Sequence, residues 1–76
     1  MVSLETARSL WYSPVVIPGV RYRMNDIVTI LSGPHVGATA WVISIEGVDP
    51  EPSYLIERIS GSGDLIVAQS ALRAAA

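Results

Sequence analysis

The sequence predicts a mostly β domain, a small barrel of four to five antiparallel strands preceded by a short N-terminal helix. The chain has 76 residues, 50% of them apolar, and this length suffices for one compact core but not for two. From residue 20 onward, short apolar runs alternate with Gly, Pro, Asn and Asp, which is the spacing typical of small barrels and sandwiches. Closing such a sheet on itself also removes the exposed strand edges that a short β protein must otherwise protect.

The first segment, residues 1–19, is predicted to hold the helix and an extended connector. Ser3 is a favourable N-cap for a helix over residues 4–11. Pro14 ends this helix, because the residue before a proline is driven out of the α region. The Pro18-Gly19 pair then supplies a turn into the barrel.

The barrel is predicted over residues 20–73. Its candidate strands are Val20–Arg23, Ile27–Leu31, Ala40–Ile45, Tyr54–Ile59 and Leu65–Ala68, the first of them counted only in the five-stranded version. The connections between them are short enough to join antiparallel neighbours. We expect a closing helical turn over Ala68–Leu72 and a frayed tail over residues 73–76.

Two of these strands are apolar on both of their alternating faces, whereas a half-exposed strand alternates apolar with polar residues. The inward set is predicted to be Val28, Ile30 and Val42. The outward set is then Ile27, Leu31, Trp41 and Ile43, which either the N-terminal helix or a second subunit must cover. Because exposed apolar surface of this kind marks interfaces, the pattern predicts self-association or a docked partner.

The composition argues against catalysis. The chain has no cysteine, so disulfides, thiolate chemistry and zinc sites of the Cys type are excluded. His35 is the only histidine, and no metal-ligand spacing, nucleophile elbow or phosphate loop is present. We therefore expect a protein that is not an enzyme and that uses no cofactor and no metal. Without a leader pattern or an apolar run near the ~20 residues that span a bilayer, we expect it to be cytoplasmic and away from membranes.

Residues 26–45, DIVTILSGPHVGATAWVISI, resemble the KOW motif of SH3-like barrels. This family includes modules of bacterial transcription elongation factors and of some large-subunit ribosomal proteins. Its pattern is an acidic residue, an apolar strand, a Gly-Pro-aromatic-x-Gly loop and a second strand. His35 takes the aromatic position and Ala40 stands where the family has glycine. The resemblance implies an SH3-like barrel, with Pro34 setting a turn after Gly33 and Gly37 taking a positive φ.

Two functions remain open at this point. The first is a protein-binding or assembly module that self-associates through the outward face around Leu31, Trp41 and Ile43. The second, implied by the resemblance, is RNA or nucleoprotein binding through the loop, helped by Arg21 and Arg23. A net charge of −2 and the absence of lysine disfavour nucleic acid. The candidate binding residues are Arg21, Arg23, Leu31, Gly33, Pro34, His35, Gly37, Trp41 and Ile43.

Overall fold

A computed structural model describes residues 2–75 of the chain. The elements are α1 (Leu4–Leu10), β1 (Ile27–Ile30), β2 (Thr39–Gly47), β3 (Ser53–Arg58), β4 (Asp64–Ala68), a 3-10 turn (Gln69–Ala71) and β5 (Leu72–Ala74). The strands form one antiparallel sheet in the order β4-β3-β2-β1-β5. The mostly β class with one short helix is confirmed. Among the described residues no pairing joins β4 to β5, so the sheet is open rather than closed on itself.

The N-terminal helix begins where the sequence predicts. The side-chain oxygen of Ser3 accepts a hydrogen bond from the backbone N–H of Thr6 at 3.1 Å, which satisfies one of the free donors of the first turn. The helix ends at Leu10, because Trp11 already serves as its C-cap. Ala7 and Trp11 turn one side of the helix into the core of the same chain.

A glycine-bounded loop joins β1 to β2. Gly33 and Gly37 both have φ of +88°, a conformation that glycine adopts without steric cost. The backbone N–H of Gly37 donates to the carbonyl of Ile30 at 2.8 Å and closes the loop. The positive φ expected at Gly37 from the KOW pattern is thus confirmed. Beyond the loop, β1 and β2 pair with Ile27 opposite Trp41.

Strand β2 contains two irregularities that the sequence pattern did not reveal. Its pairing with β3 shifts register between Val42 and Ser44, and again between Ile45 and Gly47. An inserted residue moves the inward and outward alternation by one position. Val42 and Ile45, three apart rather than two, are therefore both buried. The bulges also bend the sheet around its core.

One hydrophobic core unites the helix, the connector and the sheet. Its buried members are Ala7, Trp11, Ile17, Tyr22, Val28, Ile30, Ala40, Val42, Ile45, Tyr54, Ile56 and Leu72. The predicted inward orientation of Val28, Ile30 and Val42 is confirmed. Tyr54 is fully buried and its ring lies 6.3 Å from that of Trp11 and 5.7 Å, edge-on, from that of Tyr22.

Two predictions about the ends of the barrel are wrong. Residues 20–23 form no strand, because the segment is anchored by its side chains instead: Tyr22 is buried and its hydroxyl donates to the carbonyl of Leu72 at 3.3 Å. The fifth strand is Leu72–Ala74, where the sequence indicated a frayed tail from Arg73 onward. It pairs with β1, with Thr29 opposite Arg73. Ala76 lies outside the described residues. The closing helical turn is confirmed at Gln69–Ala71.

Candidate binding surface

The outer face of the sheet, the side turned away from the core, exposes large apolar side chains. We define the outer face by Ile27, Leu31, Trp41 and Ile66, which are 45%, 45%, 39% and 65% exposed. The outward orientation predicted for the first three is confirmed. The helix α1 does not cover them, since it packs on the core with Ala7 and Trp11.

A single cross-strand row runs through Trp41. Ile27 lies directly opposite Trp41, Trp41 opposite Glu57, and Glu57 opposite Asp64. Residues opposite one another on antiparallel strands have neighbouring side chains. The row is therefore apolar at its β1 end and acidic at its β4 end.

Ile43, the fourth residue predicted to point outward, is half-buried beside the helix. It has no partner in the β2–β3 register, and its carbonyl accepts a hydrogen bond from the indole nitrogen of Trp11 at 3.1 Å. At the second irregularity Arg8 donates to the carbonyl of Ile45 at 3.3 Å and lies 3.5 Å from the carboxylate of Glu46. The two bulges thus supply the points at which α1 attaches to the sheet.

The motif loop is exposed but anchored. His35 Nδ1 lies 2.9 Å from the guanidinium of Arg58, which also donates to the carbonyl of Ser62 at 2.6 Å. Because a guanidinium can only donate, Nδ1 accepts, and the imidazole proton resides on Nε2 in this arrangement. Arg58 thereby ties the loop to the turn between β3 and β4. Gly33, Pro34 and Gly37 are all exposed at the loop surface.

A groove of about 230 Å³ separates this loop from β4. It is lined by Ile30, Ser32, Pro34, His35, Leu65, Ile66 and Val67. Leu65 and Val67 lie opposite the buried residues Ile56 and Tyr54 of β3. The groove therefore lies where the core-facing side of β4 remains partly exposed.

Arg23 is occupied within the chain. Its guanidinium donates to the carbonyls of Leu10, Trp11, Ser13 and Val15 at 2.7, 2.9, 2.6 and 2.6 Å. It also lies 5.6 Å from the ring of Trp11. A cation on the last carbonyls of a helix stabilises its C-terminus. Arg21 and Arg23 do not lie on a common strand face, because residues 20–23 form no strand.

Arg21 is exposed and lines a different groove. This open groove, of about 550 Å³, runs beside β5, and Arg73 and Asp26 line it as well. The backbone N–H of Arg21 donates to the side-chain oxygen of Gln69 at 2.9 Å, so the side chain remains free to face the groove.

No local sequence pattern indicated the hydrogen-bonded Tyr54 hydroxyl in the core. The hydroxyl of Tyr54 donates to the side-chain oxygen of Gln69 and accepts from the backbone N–H of Tyr22 at 3.4 Å. Burial raises the pKa of the Tyr54 phenol above its ordinary value of 10.0. Gln69 also donates to the carbonyl of Gly19 at 3.2 Å, so this pair fastens the connector to the sheet. Only the tertiary structure brings residues so far apart in sequence together.

Within residues 2–75, no cluster of three or more His, Asp or Glu side chains is arranged to hold a metal ion. In the same residues, no helix has the length and apolar character required to cross a bilayer. No protein-family model, no curated protein and no solved structure matches the chain.

Proposed function

We propose that the protein is a non-catalytic assembly module, an SH3-like domain of the KOW type, whose outer face binds protein partners and further copies of itself. One observation carries the proposal. Ile27 and Trp41, direct cross-strand neighbours in the sheet, remain 45% and 39% exposed, whereas Trp11, Tyr22 and Tyr54 are buried. Full burial of such a side chain is worth ~1.5–3 kcal/mol, and because less than half of each remains exposed, a docked partner would gain about 1 kcal/mol per residue.

The SH3-like class is supported by the sheet and by the motif loop. Five short antiparallel strands bend around one core, and β2 carries two bulges of the kind that curve small sheets. The loop between β1 and β2 has Gly33 and Gly37 in the left-handed conformation. Ala40, at the position of the family's glycine, is buried opposite Arg58 and fits there without disturbing the register.

The charges around the outer face favour a particular partner chemistry. Glu57 and Asp64 continue the row of Ile27 and Trp41 towards β4. A partner with an apolar residue for Trp41 and a basic residue for the two carboxylates would complement this row. Tryptophan is also among the residues that most often dominate binding free energy at interfaces.

The test is sedimentation of the full chain over a concentration series. We expect the average mass to rise with concentration, and Trp41→Glu to weaken this association by about 30-fold, since a central tryptophan contributes ~2 kcal/mol or more. Tyr12→Glu is the matched control, because Tyr12 is an aromatic residue 77% exposed outside the sheet. A wild-type chain that stays monomeric at every concentration, or equal effects of the two variants, contradicts the proposal.

The groove beside β5 is the observation that favours the nucleic-acid alternative. Arg21 and Arg73 both line it, whereas Arg23 and Arg58 are engaged with carbonyls and with His35. Two arginines, of which Arg73 also donates to the carbonyl of Ala74, are a small electrostatic footprint for a chain of net charge −2. Titration with a short single-stranded RNA at low salt decides between the two. Binding that weakens in Arg21→Ala would support the nucleic-acid function, and no binding at micromolar RNA would remove it.

A further inference from the structure

We propose that β4 pairs with the β4 of a second copy, antiparallel about a two-fold axis at Ile66, so that two sheets join into one. The occupant of this edge is therefore another molecule of the same chain. The proposal rests on the hydrogen-bonding state of the strand, on the contrast with the opposite edge, and on the side chains that the pairing would bring together.

The outer edge of β4 presents unpaired backbone groups. The backbone N–H of Gln69 donates to Pro52 at 2.8 Å, and that of Arg58 donates to Gly63 at 3.5 Å. In an antiparallel ladder, cross-strand pairs alternate between those that are hydrogen-bonded and those that are not. The pairs Pro52–Gln69 and Arg58–Gly63 are hydrogen-bonded, which makes Leu55–Ile66 a non-hydrogen-bonded pair. Ile66 belongs to this non-bonded set, so its N–H and C=O point away from β3. Among the described residues neither group has a hydrogen-bond partner.

The two edges of the sheet differ in protection. Strand β5 has three residues, and the carbonyls of Leu72 and Ala74 accept from the Tyr22 hydroxyl and the Arg73 guanidinium. Strand β4 has five residues, Asp64-Leu65-Ile66-Val67-Ala68, with no lysine, proline or bulge. Proteins guard exposed edges with such devices, and an apolar edge without them pairs with another strand. Its one charge, Asp64, stands at the end of the strand.

A second copy fits this edge in one register. With Ile66 facing Ile66 of the other copy, Leu65 faces Val67 and Asp64 faces Ala68, so no like charges meet. On the outer side, Leu55 is opposite Ile66 within each chain, and the pairing extends this into an unbroken apolar row across both copies. Cross-strand apolar pairs of this kind stabilise sheets.

The inner side of the same edge favours the same register. Leu65 and Val67, both half-buried, line the groove of about 230 Å³ between the motif loop and β4. A strand added to β4 directs alternate side chains to the same face as its neighbour. The Val67 and Leu65 side chains of the second copy would therefore lie over this groove and cover it.

The pairing has a consequence that rests on the proposed function. Joining the two sheets places both outer faces on the same side of one continuous sheet. The dimer would then present two Trp41 surfaces to a partner and bind it bivalently. The edge pairing itself does not depend on Trp41, so different variants test the two proposals.

The test uses opposite charges at the self-facing position. Ile66→Lys places two ammonium groups opposite each other, and Ile66→Glu places two carboxylates there. Like charges directly opposite on paired strands are destabilising, so we expect each variant alone to dimerise about tenfold or more weakly in sedimentation equilibrium. Mixing the two variants should restore the dimer, because only a register with residue 66 facing itself pairs the opposite charges. Ile66 is 65% exposed, so both variants are expected to fold.

Val16→Lys is the control, since Val16 is an apolar residue 85% exposed in the connector, and it should dimerise like the wild type. Slow hydrogen exchange of the Ile66 amide in the dimer would give independent support. A wild-type chain that remains monomeric overturns the inference, as does a dimer that Ile66→Lys leaves intact. Association lost only in Trp41→Glu overturns the edge pairing while the proposed function stands. Association that is lost in each Ile66 variant, restored in their mixture and retained in Trp41→Glu supports the edge pairing and contradicts self-association through Trp41.

Discussion

Replacing Arg23 with alanine should destabilise the fold, although the sequence suggests an exposed arginine free to bind nucleic acid. Its guanidinium is the shared donor for four carbonyls between the end of α1 and the connector. Arg23→Ala would release this segment from the body of the domain. We therefore expect the main effect on the free energy of unfolding rather than on RNA binding.

The magnitude follows from the geometry. Three of the four hydrogen bonds, those to Leu10, Trp11 and Ser13, are partly buried. Each contributes ~1 kcal/mol net, and the position of the guanidinium near the Trp11 ring adds ~0.5–1 kcal/mol. The bond to Val15 is exposed and water replaces it readily. Because the released carbonyls partly regain water, we expect a loss of about 2–3 kcal/mol, a large share of the ~5–15 kcal/mol typical of a domain.

Urea denaturation followed by tryptophan fluorescence measures this loss, since Trp11 lies in the core next to the guanidinium. Arg21→Ala is the matched control: it removes the same side chain two residues away from an exposed position, and should change the free energy of unfolding by less than about 0.5 kcal/mol. Equal effects of the two variants, or an Arg23→Ala protein as stable as the wild type, would refute the reasoning.

Two further predictions concern the core and its attachment to the connector. Ile17→Ala should lower the free energy of unfolding by about 2–5 kcal/mol, because Ile17 is 1% exposed, whereas the adjacent Val16→Ala, at 85% exposure, should change it by less than about 0.5 kcal/mol; similar losses would show that the connector is not part of the core. The raised pKa of Tyr54 means that above pH 10.0 the unfolded phenol ionises while the folded one keeps its proton. Stability should therefore fall as pH rises from 10.0 through the folded pKa, and Tyr54→Phe should reduce this fall while costing about 1 kcal/mol at neutral pH. An unchanged alkaline slope in that variant would contradict the assignment.

Local patterns predicted those parts of the structure that depend on neighbouring residues. Ser3 caps the helix, and Gly37 takes the positive φ, because both requirements are set within a few residues. The local pattern also predicted which residues of β1 and of the start of β2 point inward and outward, because side chains alternate between the two faces of an extended backbone. The exposed pair Ile27 and Trp41 was accessible from the sequence for this reason.

Patterns failed where the structure depends on distant partners. The bulge at Ile43 lies where α1 attaches to the sheet, and the alternation of apolar and polar residues along β2 does not predict it. Strand β5 has only three residues, too few to show the two-residue alternation of a strand. It forms because it pairs with the edge of β1. The sequence indicates a surface charge at Arg23, whereas the fold places four backbone carbonyls around its guanidinium.

The sequence by itself determined the class of the domain, the position of its helix and its glycine loop, and the surplus of apolar side chains on the outer face. The tertiary structure alone decided which arginines are engaged within the chain, which end of the sheet is covered, and which sheet edge within residues 2–75 is unprotected. The physical reason is that short-range rules fix backbone conformation and side-chain direction, whereas hydrogen-bond partners and exposure depend on residues far apart in the chain.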